Sequence, residues 1–151
     1  NRFNKSVIKK MTLVDVNPKQ NARASKNQFS ILPRIGYGMN MYDGNLGLFT
    51  GGSLSYGNNR IGYFGGDLMY IMTLPQYHPI VSGFYERSIL NLLIIKGGIG
   101  MNLYNMSPAI IAGGGVSFLL GRKLILKPMA ELTSSSGVHK IGVNMNMGIV
   151  Y

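Results

Sequence analysis

The sequence predicts an all-β fold, an eight-stranded antiparallel up-and-down transmembrane β-barrel preceded by a basic N-terminal arm. Three observations predict it. Apolar residues alternate with period two over long stretches, which is the signature of strands rather than helices. Charged residues make up only 13% of the 151-residue chain, against about 25% in an ordinary soluble domain. The run from residue 28 onward divides at short turns into eight strand-like segments, an even count that closes by hairpins.

The last strand, Lys140–Tyr151, is the clearest. Ile141, Val143, Met145, Met147, Ile149 and Tyr151 share one face, and Lys140, Gly142, Asn144, Asn146, Gly148 and Val150 share the other. Such a length matches the ~9–11 residues of a tilted membrane strand plus an overhang. The first strand repeats the pattern. Phe29, Ile31, Pro33, Ile35, Tyr37, Met39 and Met41 oppose Ser30, Leu32, Arg34, Gly36, Gly38, Asn40 and Tyr42. Pro33 lacks a ladder donor and predicts a bulge or a strand end there. Asp43-Gly44 is a hairpin signal.

The second strand runs over Asn45–Gly57, with Leu46, Leu48, Leu54 and Tyr56 on one face, and Asn58-Asn59 closes it. The third covers Arg60–Thr73. Two prolines make Leu74–Pro79 a loop, and the fourth strand follows at Ile80–Arg87. The fifth, Leu90–Tyr104, sets Leu93, Ile95, Ile99, Met101 and Leu103 against Lys96, Gly98, Gly100 and Asn102, and Asn105–Ser107 turns the chain. The sixth is Ala109–Leu120, with Gly121-Arg122 as its turn. The seventh, Lys123–Thr133, sets Leu124, Leu126, Pro128, Ala130 and Leu132 against Lys123, Lys127, Met129, Glu131 and Thr133. Ser134–Gly137 leads into the last strand.

Alternation does not say which face points outward. A soluble, lipocalin-like ligand-binding barrel hides its apolar face; a membrane barrel shows it. The polar faces carry too few charges to be a wetted skin, and their glycines suit a crowded interior. Their charges have both signs, and buried charges need partners. Arg34, Asp67, Lys96, Lys127 and Glu131 are therefore expected to form a polar network in the lumen. Ile35, Tyr37, Leu93, Ile95, Met145, Met147, Ile149 and Tyr151 are expected to face lipid.

Residues 1–27 differ from the barrel at 28–151. Arg2, Lys5, Lys9, Lys10, Lys19, Arg23 and Lys26 stand against Asp15 alone, so this segment carries +6 of the chain's +10. It reads as an arm or plug with one short β-like run, Met11–Val16. Such a segment is either a solvated tether or a contact for an anionic surface or acidic partner. It is expected to be dispensable for folding of the barrel. The chain opens on Asn1, which fits a processed mature form or a trimmed one.

The strand Lys140–Tyr151, with its alternation and terminal aromatic, resembles the C-terminal strand signal of small bacterial outer-membrane β-barrel families of the OmpA-transmembrane-domain and OmpX type. The resemblance covers 28–151 by pattern, and implies a place in the bacterial outer membrane and insertion by the barrel-assembly machinery. The sequence departs from those families in having no tryptophan, so an aromatic girdle rests on Tyr and Phe; the basic arm is a second departure. A fainter similarity to barrel segments of secretion-accessory proteins lies in Leu126-Lys127-Pro128 and the Asn-rich stretch 144–146.

Motifs for chemistry are scarce. There is no cysteine, and the two histidines, His78 in the Pro-flanked loop and His139 at a strand start, do not have the spacing of a metal site. Ser134–Ser136 with His139 and Glu131, and His78 with Ser82 and Glu86, are loose sets that match no nucleophile motif. Gly113–Gly115 and Gly97-Gly98 lack the helix and Lys-Ser/Thr of a phosphate loop. Basic and aromatic residues do not share a face, which argues against nucleic acid. No enzyme, cofactor or metal is expected. The lipid-modifying barrel enzyme remains an alternative, as does the soluble ligand-binding barrel.

The connections on the side away from the termini, Asp43-Gly44, Leu74–Pro79, Asn105–Ser107 and Ser134–Gly137, are short, although surface loops of such barrels are usually long. Chemistry carried on loops therefore has little room. A structural or accessory role is expected, with outer-membrane lipids and another outer-membrane or periplasmic protein, such as a secretion or uptake complex, as partners.

Overall fold

The computed structural model describes residues 26–73, 76–89, 92–121, 123–136 and 138–151. Nearly all of them are strand: β1 Gln28–Asn40, β2 Leu46–Asn58, β3 Gly62–Thr73, β4 Gln76–Ile89, β5 Leu93–Asn102, β6 Ser107–Val116, β7 Phe118–Leu120, β8 Leu124–Ser135 and β9 Val138–Val150. Sequence neighbours pair antiparallel except β6 and β7, and the β1–β9 and β6–β8 pairings close the sheet. β6 and β7 occupy one position, because both pair with β8 in a single register, Gly115↔Met129 continuing as Phe118↔Leu126. The molecule is thus a closed eight-stranded antiparallel barrel, the architecture that the period-two pattern predicts.

The break between β6 and β7 has a local cause. The pairing skips the position where Val116 would oppose Pro128, and proline has no N–H to give the ladder. Pro33 acts in the same way. The β1–β9 pairs run from Ile31↔Ile149 to Arg34↔Asn146 and skip Leu32 and Pro33, with no change of register. Pro33 therefore marks neither a bulge nor a strand end, as the sequence suggested, but a gap in a continuous strand.

Pro79 corrects a larger expectation. Residues 76–79 are strand rather than loop: β4 begins at Gln76, and Pro79 pairs with Tyr70 of β3. The Pro79 carbonyl accepts from the N–H of Leu103 at 2.8 Å, just past the end of β5. A strand residue's N and O point to the same side. The missing donor of Pro79 thus faces the place where β5 has already ended, and little is lost. His78, placed in a loop by the sequence pattern, is accordingly a buried strand residue.

All connections are short. β3–β4 and β8–β9 are closed by two residues each, since Thr73 pairs with Gln76 and Ser135 with Val138. Ser134 and Ser135 thus belong to β8 rather than to a turn. The turns 41–45 and 103–106 share one rim, the distal one, with the end of β3 and start of β4 and the end of β8 and start of β9. The end of β2 and start of β3, the end of β4 and start of β5, and the end of β7 and start of β8 share the proximal rim with Gln28 and Tyr151, the two ends of the barrel. Gly44 adopts φ +69° in the first distal turn, a left-handed conformation that favours glycine.

Distal of the middle, the lumen is filled by an apolar layer of Phe49, Met69, Ile71, Ile80, Ala109, Ile111 and Val138. Phe49 lies across the facing pair Gly38↔Gly142. A Cβ at Gly38 would come within 2.6 Å of the Phe49 ring, and one at Gly142 would also collide with it. The two glycines thus make the bed for an aromatic ring that covers their backbone, a known device in curved sheets.

Candidate functional site

Burial alternates with the pleat in the sense opposite to a soluble protein. Arg34, Asp67, Lys96, Lys127 and Glu131 are all buried, at 3–6% exposure. Ile35, Tyr37, Leu93, Ile95, Met145, Met147, Ile149 and Tyr151 are all exposed, at 39–63%. The lumen holds the charges, and the wall carries the aliphatic side chains.

At mid-height the charges form a brace across the barrel. The Arg34 guanidinium donates to Glu131 Oε1 at 2.9 Å through Nη1 and to Asp67 Oδ2 at 2.8 Å through Nη2. Its Nε donates to Asn146 Oδ1 at 3.1 Å. Lys96 pairs with Asp67 and stands 3.6 Å from Glu131 Oε2, with its Nζ 4.3 Å from the centroid of the Phe84 ring. The four residues come from β1, β3, β5 and β8, spaced round the circumference, so the brace spans the lumen rather than lining one side. Planar guanidinium between two carboxylates is the arrangement for which arginine is suited.

Lys127 does not join this brace. It pairs with Glu86 nearer the proximal rim, and its Nζ lies 5.5 Å from the centroid of Tyr63. Glu86 is thus a member of the lumen set that the sequence pattern did not assign. The signal was available: the inward parity of β4 runs through Ser82, Phe84 and Glu86. Lys140 is a second addition, 1% exposed among the residues of the distal layer, with its Nζ 5.8 Å from the centroid of Phe49. At the distal end Asn102 meets His78 Nδ1 at 3.3 Å. At the proximal end the Ser30 and Ser55 hydroxyls meet at 2.6 Å.

The loose catalytic sets are taken apart by the pleat. Ser134 Oγ does meet His139 Nδ1 at 2.9 Å, and Tyr42 packs edge-on against that imidazole. Glu131 lies on the other face of β8, in the lumen, bound to Arg34, so the acid of the set is turned away from its histidine. His78, Ser82 and Glu86 stand four residues apart along β4, each about 13 Å from the next at the strand rise. Glu86 there holds Lys127 and His78 holds Asn102. Among the described residues no cluster of three His, Cys, Asp or Glu residues forms a metal site.

The outer wall has an apolar groove of 680 Å³ where β2, β1, β9, β8 and β6 run side by side. Ile35, Tyr37, Leu48, Val143 and Met145 border it, and the small residues Gly114, Ala130 and Pro128 let it dip. Aromatic side chains collect at the rims: Phe29, Tyr56, Phe64, Phe118 and Tyr151 proximally, and Tyr42, Tyr77 and Tyr104 distally, all exposed. Of the basic arm only Lys26 and Asn27 are described. Lys26 is exposed, and Asn27 accepts from Asn58 at 2.6 Å. Arg2, Lys5, Lys9, Lys10, Lys19 and Arg23, with the plug reading, lie outside the described residues.

The fold and its interior define a closed, internally braced β-barrel with an apolar exterior. No family model matches the chain, and no curated protein matches it. A solved structure from the de novo design of transmembrane β-barrels is similar to it, with 21% identity and a TM-score of 0.47, over 81% of this chain and 93% of that one.

Proposed function

We propose that the chain is a membrane-spanning barrel of the bacterial outer membrane with a structural or accessory role, acting through its outer wall rather than through a pore or an active centre. The observation that carries this reading is the inverted burial. Ion pairs fill the lumen while long aliphatic side chains cover the outside. In water this arrangement would leave a continuous apolar girdle exposed, far larger than the patches soluble monomers tolerate. In lipid the girdle is solvated, and closure leaves no strand edge without hydrogen bonds. Two aromatic rims bracketing an aliphatic middle fit the two membrane interfaces.

The braced lumen argues against conduction, and the buried apolar side chains that pack its distal layer argue against a lipocalin-type ligand there. The short turns leave little surface for a receptor or an adhesin. Lateral contact with another outer-membrane or periplasmic protein is then the reading that uses what the wall offers, above all the groove at Gly114 and Ala130, where a neighbour's side chains can approach the backbone. The test is purification from native membranes in mild detergent. The barrel should need detergent throughout, show no large steady conductance in planar bilayers, and crosslink to a discrete neighbour through a photoreactive group at Ile35. Monodisperse protein without detergent would overturn the membrane reading. A lone barrel that turns over a lipid substrate would replace the accessory role with an enzymatic one.

A further inference from the structure

We infer that the proximal rim is an anionic-lipid-binding collar, so that the barrel sits with this end against the phosphate groups of an anionic phospholipid leaflet. The inference rests on the membrane reading above and adds to it a side and a lipid class.

The exposed cations of the described barrel are all at one end. Arg60 lies in the turn between β2 and β3, Arg87 on the outward face of β4 two residues before its end, and Lys123 in the turn between β7 and β8. Lys26 lies two residues before the start of β1. All four are exposed. They are spread around the circumference, so they describe a ring and not a patch. The carboxylates are placed otherwise. Asp67, Glu86 and Glu131 are enclosed in the lumen and engaged there by Arg34, Lys96 and Lys127. Asp43 is at the distal rim. Among the described residues no exposed Asp or Glu side chain balances the proximal ring, and no exposed Lys or Arg stands at the distal rim.

The ring also sits at the right depth. Its cations share the level of Phe29, Tyr56, Phe64, Phe118 and Tyr151, the aromatic band suited to the headgroup region. Lys123 Nζ lies 5.9 Å from the centroid of the Tyr151 ring, which places a cation beside an interfacial aromatic. Arg87 starts inside the apolar band, and a long side chain in that position reaches toward the interface with its charge. Fixed cations at this depth attract anionic headgroups by about fivefold per charge. An exposed ring with no balancing carboxylate gains this attraction without first breaking an ion pair.

The experiment uses the full chain refolded into vesicles of phosphatidylcholine containing trace spin-labelled phosphatidylglycerol or spin-labelled phosphatidylcholine. Electron paramagnetic resonance then reads the motionally restricted lipid at the protein surface. Wild type should select phosphatidylglycerol over phosphatidylcholine by about fivefold or more. The preference should fall steeply when sodium chloride rises from 0.05 to about 0.5 M, where the screening length shrinks. The R60Q/R87Q/K123Q variant should lose most of the selectivity while keeping the restricted component. Glycerol phosphate in solution should compete only weakly, since the ring binds headgroups held at the membrane surface. Equal restriction of the two lipids by wild type, a preference indifferent to salt, or full selectivity in the variant would each overturn the collar. Absence of any restricted component would instead overturn the membrane reading on which it rests.

Discussion

On β5 the side chains of Ile95 and Lys96 are neighbours in sequence and opposites in environment. Ile95 is 51% exposed on the wall, and Lys96 is 6% exposed among the carboxylates of the lumen. The same contrast runs round the barrel, with Ile35 beside Arg34 and Leu132 beside Glu131. It teaches that the pleat sorts side chains into two sets without deciding which set meets solvent. Charge content decides that. A lumen of eight strands holds only a few side chains per level, so three carboxylates and four cations suffice to make it ionic. The wall is left with too few charges for water.

The comparison is broken most severely from the inside. Replacing Arg34 by methionine removes the centre of the brace. Asp67 then keeps Lys96 as its partner, and Glu131 retains only the same lysine at 3.6 Å. Leaving a buried carboxylate without its partner costs about 3–5 kcal/mol. Reversible urea unfolding of the barrel in lipid vesicles should show a loss of that size for Arg34→Met. The companion variant R34M/D67L/K96M/E131L should recover most of it, because an apolar replacement of a whole buried ionic set is often neutral. A loss below about 1 kcal/mol for the single change, against that 3–5 kcal/mol expectation, would mean that water reaches the brace and that the lumen is open.

From the outside the effect should be somewhat smaller. Leu93→Arg and Met145→Arg each place a guanidinium on the wall. At midplane depth such a charge costs about 2–4 kcal/mol, and much less near an interface. The two variants should therefore lower folding yield in bilayers by amounts that report their depth. Wild-type yield for both would remove the lipid-facing assignment. Within the lumen, the distal layer tests the gentler side of the comparison. Ile71 has no exposed surface, and Ile71→Val deletes one methylene from a packed apolar layer. A cost of about 0.5–1.5 kcal/mol is expected in the same unfolding assay. No measurable cost would show that the distal layer is loosely packed.

Sequence patterning reached far into this fold and stopped at particular residues. The faces of β1, β5, β8 and β9 could be read residue by residue because their alternation is unbroken and one parity is almost wholly apolar. The inside-out orientation followed from the shortage of charge. What was hidden depended on proline. Pro79 reads as a loop residue until the end of β5 is known, since only then is it clear that its missing N–H falls beyond the regular β4–β5 ladder, beside Leu103. That one misreading shortened β4 at its start and put His78 outside it; Glu86 lay within the expected strand, and what stayed hidden was its pairing with Lys127 of β8, a contact between strands distant in sequence. Conversely, Pro128 interrupts the pairing of a different strand, across the sheet, so the gap between β6 and β7 could not be read from residues 116–118 themselves. Lys140 is on the polar parity of β9, yet its seat beside the apolar layer depends on Phe49 reaching across two glycines, a contact between strands distant in sequence.

The smallest effect is expected where the contrast between lumen and wall vanishes, at the rims. Asp43 and Asp67 are the same residue in opposite settings. Asp67 is enclosed with Arg34 and Lys96, whereas Asp43 sits fully exposed in the first distal turn. There its carboxylate accepts from the Asn45 backbone N–H at 3.0 Å and from the Asn45 side-chain amide at 2.9 Å. The backbone hydrogen bond in particular holds the Asp43 carboxyl below its ordinary value of 3.8, because donors favour the ionised form. A carboxyl lowered on folding adds stability that is present above its unfolded value and is lost as pH falls through the folded one. The turn should thus loosen only below about pH 4, near the ordinary aspartate pKa, while the barrel around it is unaffected. The amide resonance of Asn45 in detergent micelles reports this directly. Its shift should titrate with a midpoint below 3.8 in wild type, and the transition should disappear in Asp43→Asn. A midpoint at or above the ordinary value would show that the carboxylate does not hold the turn, and that the hairpin is closed by its glycine and backbone bonds alone.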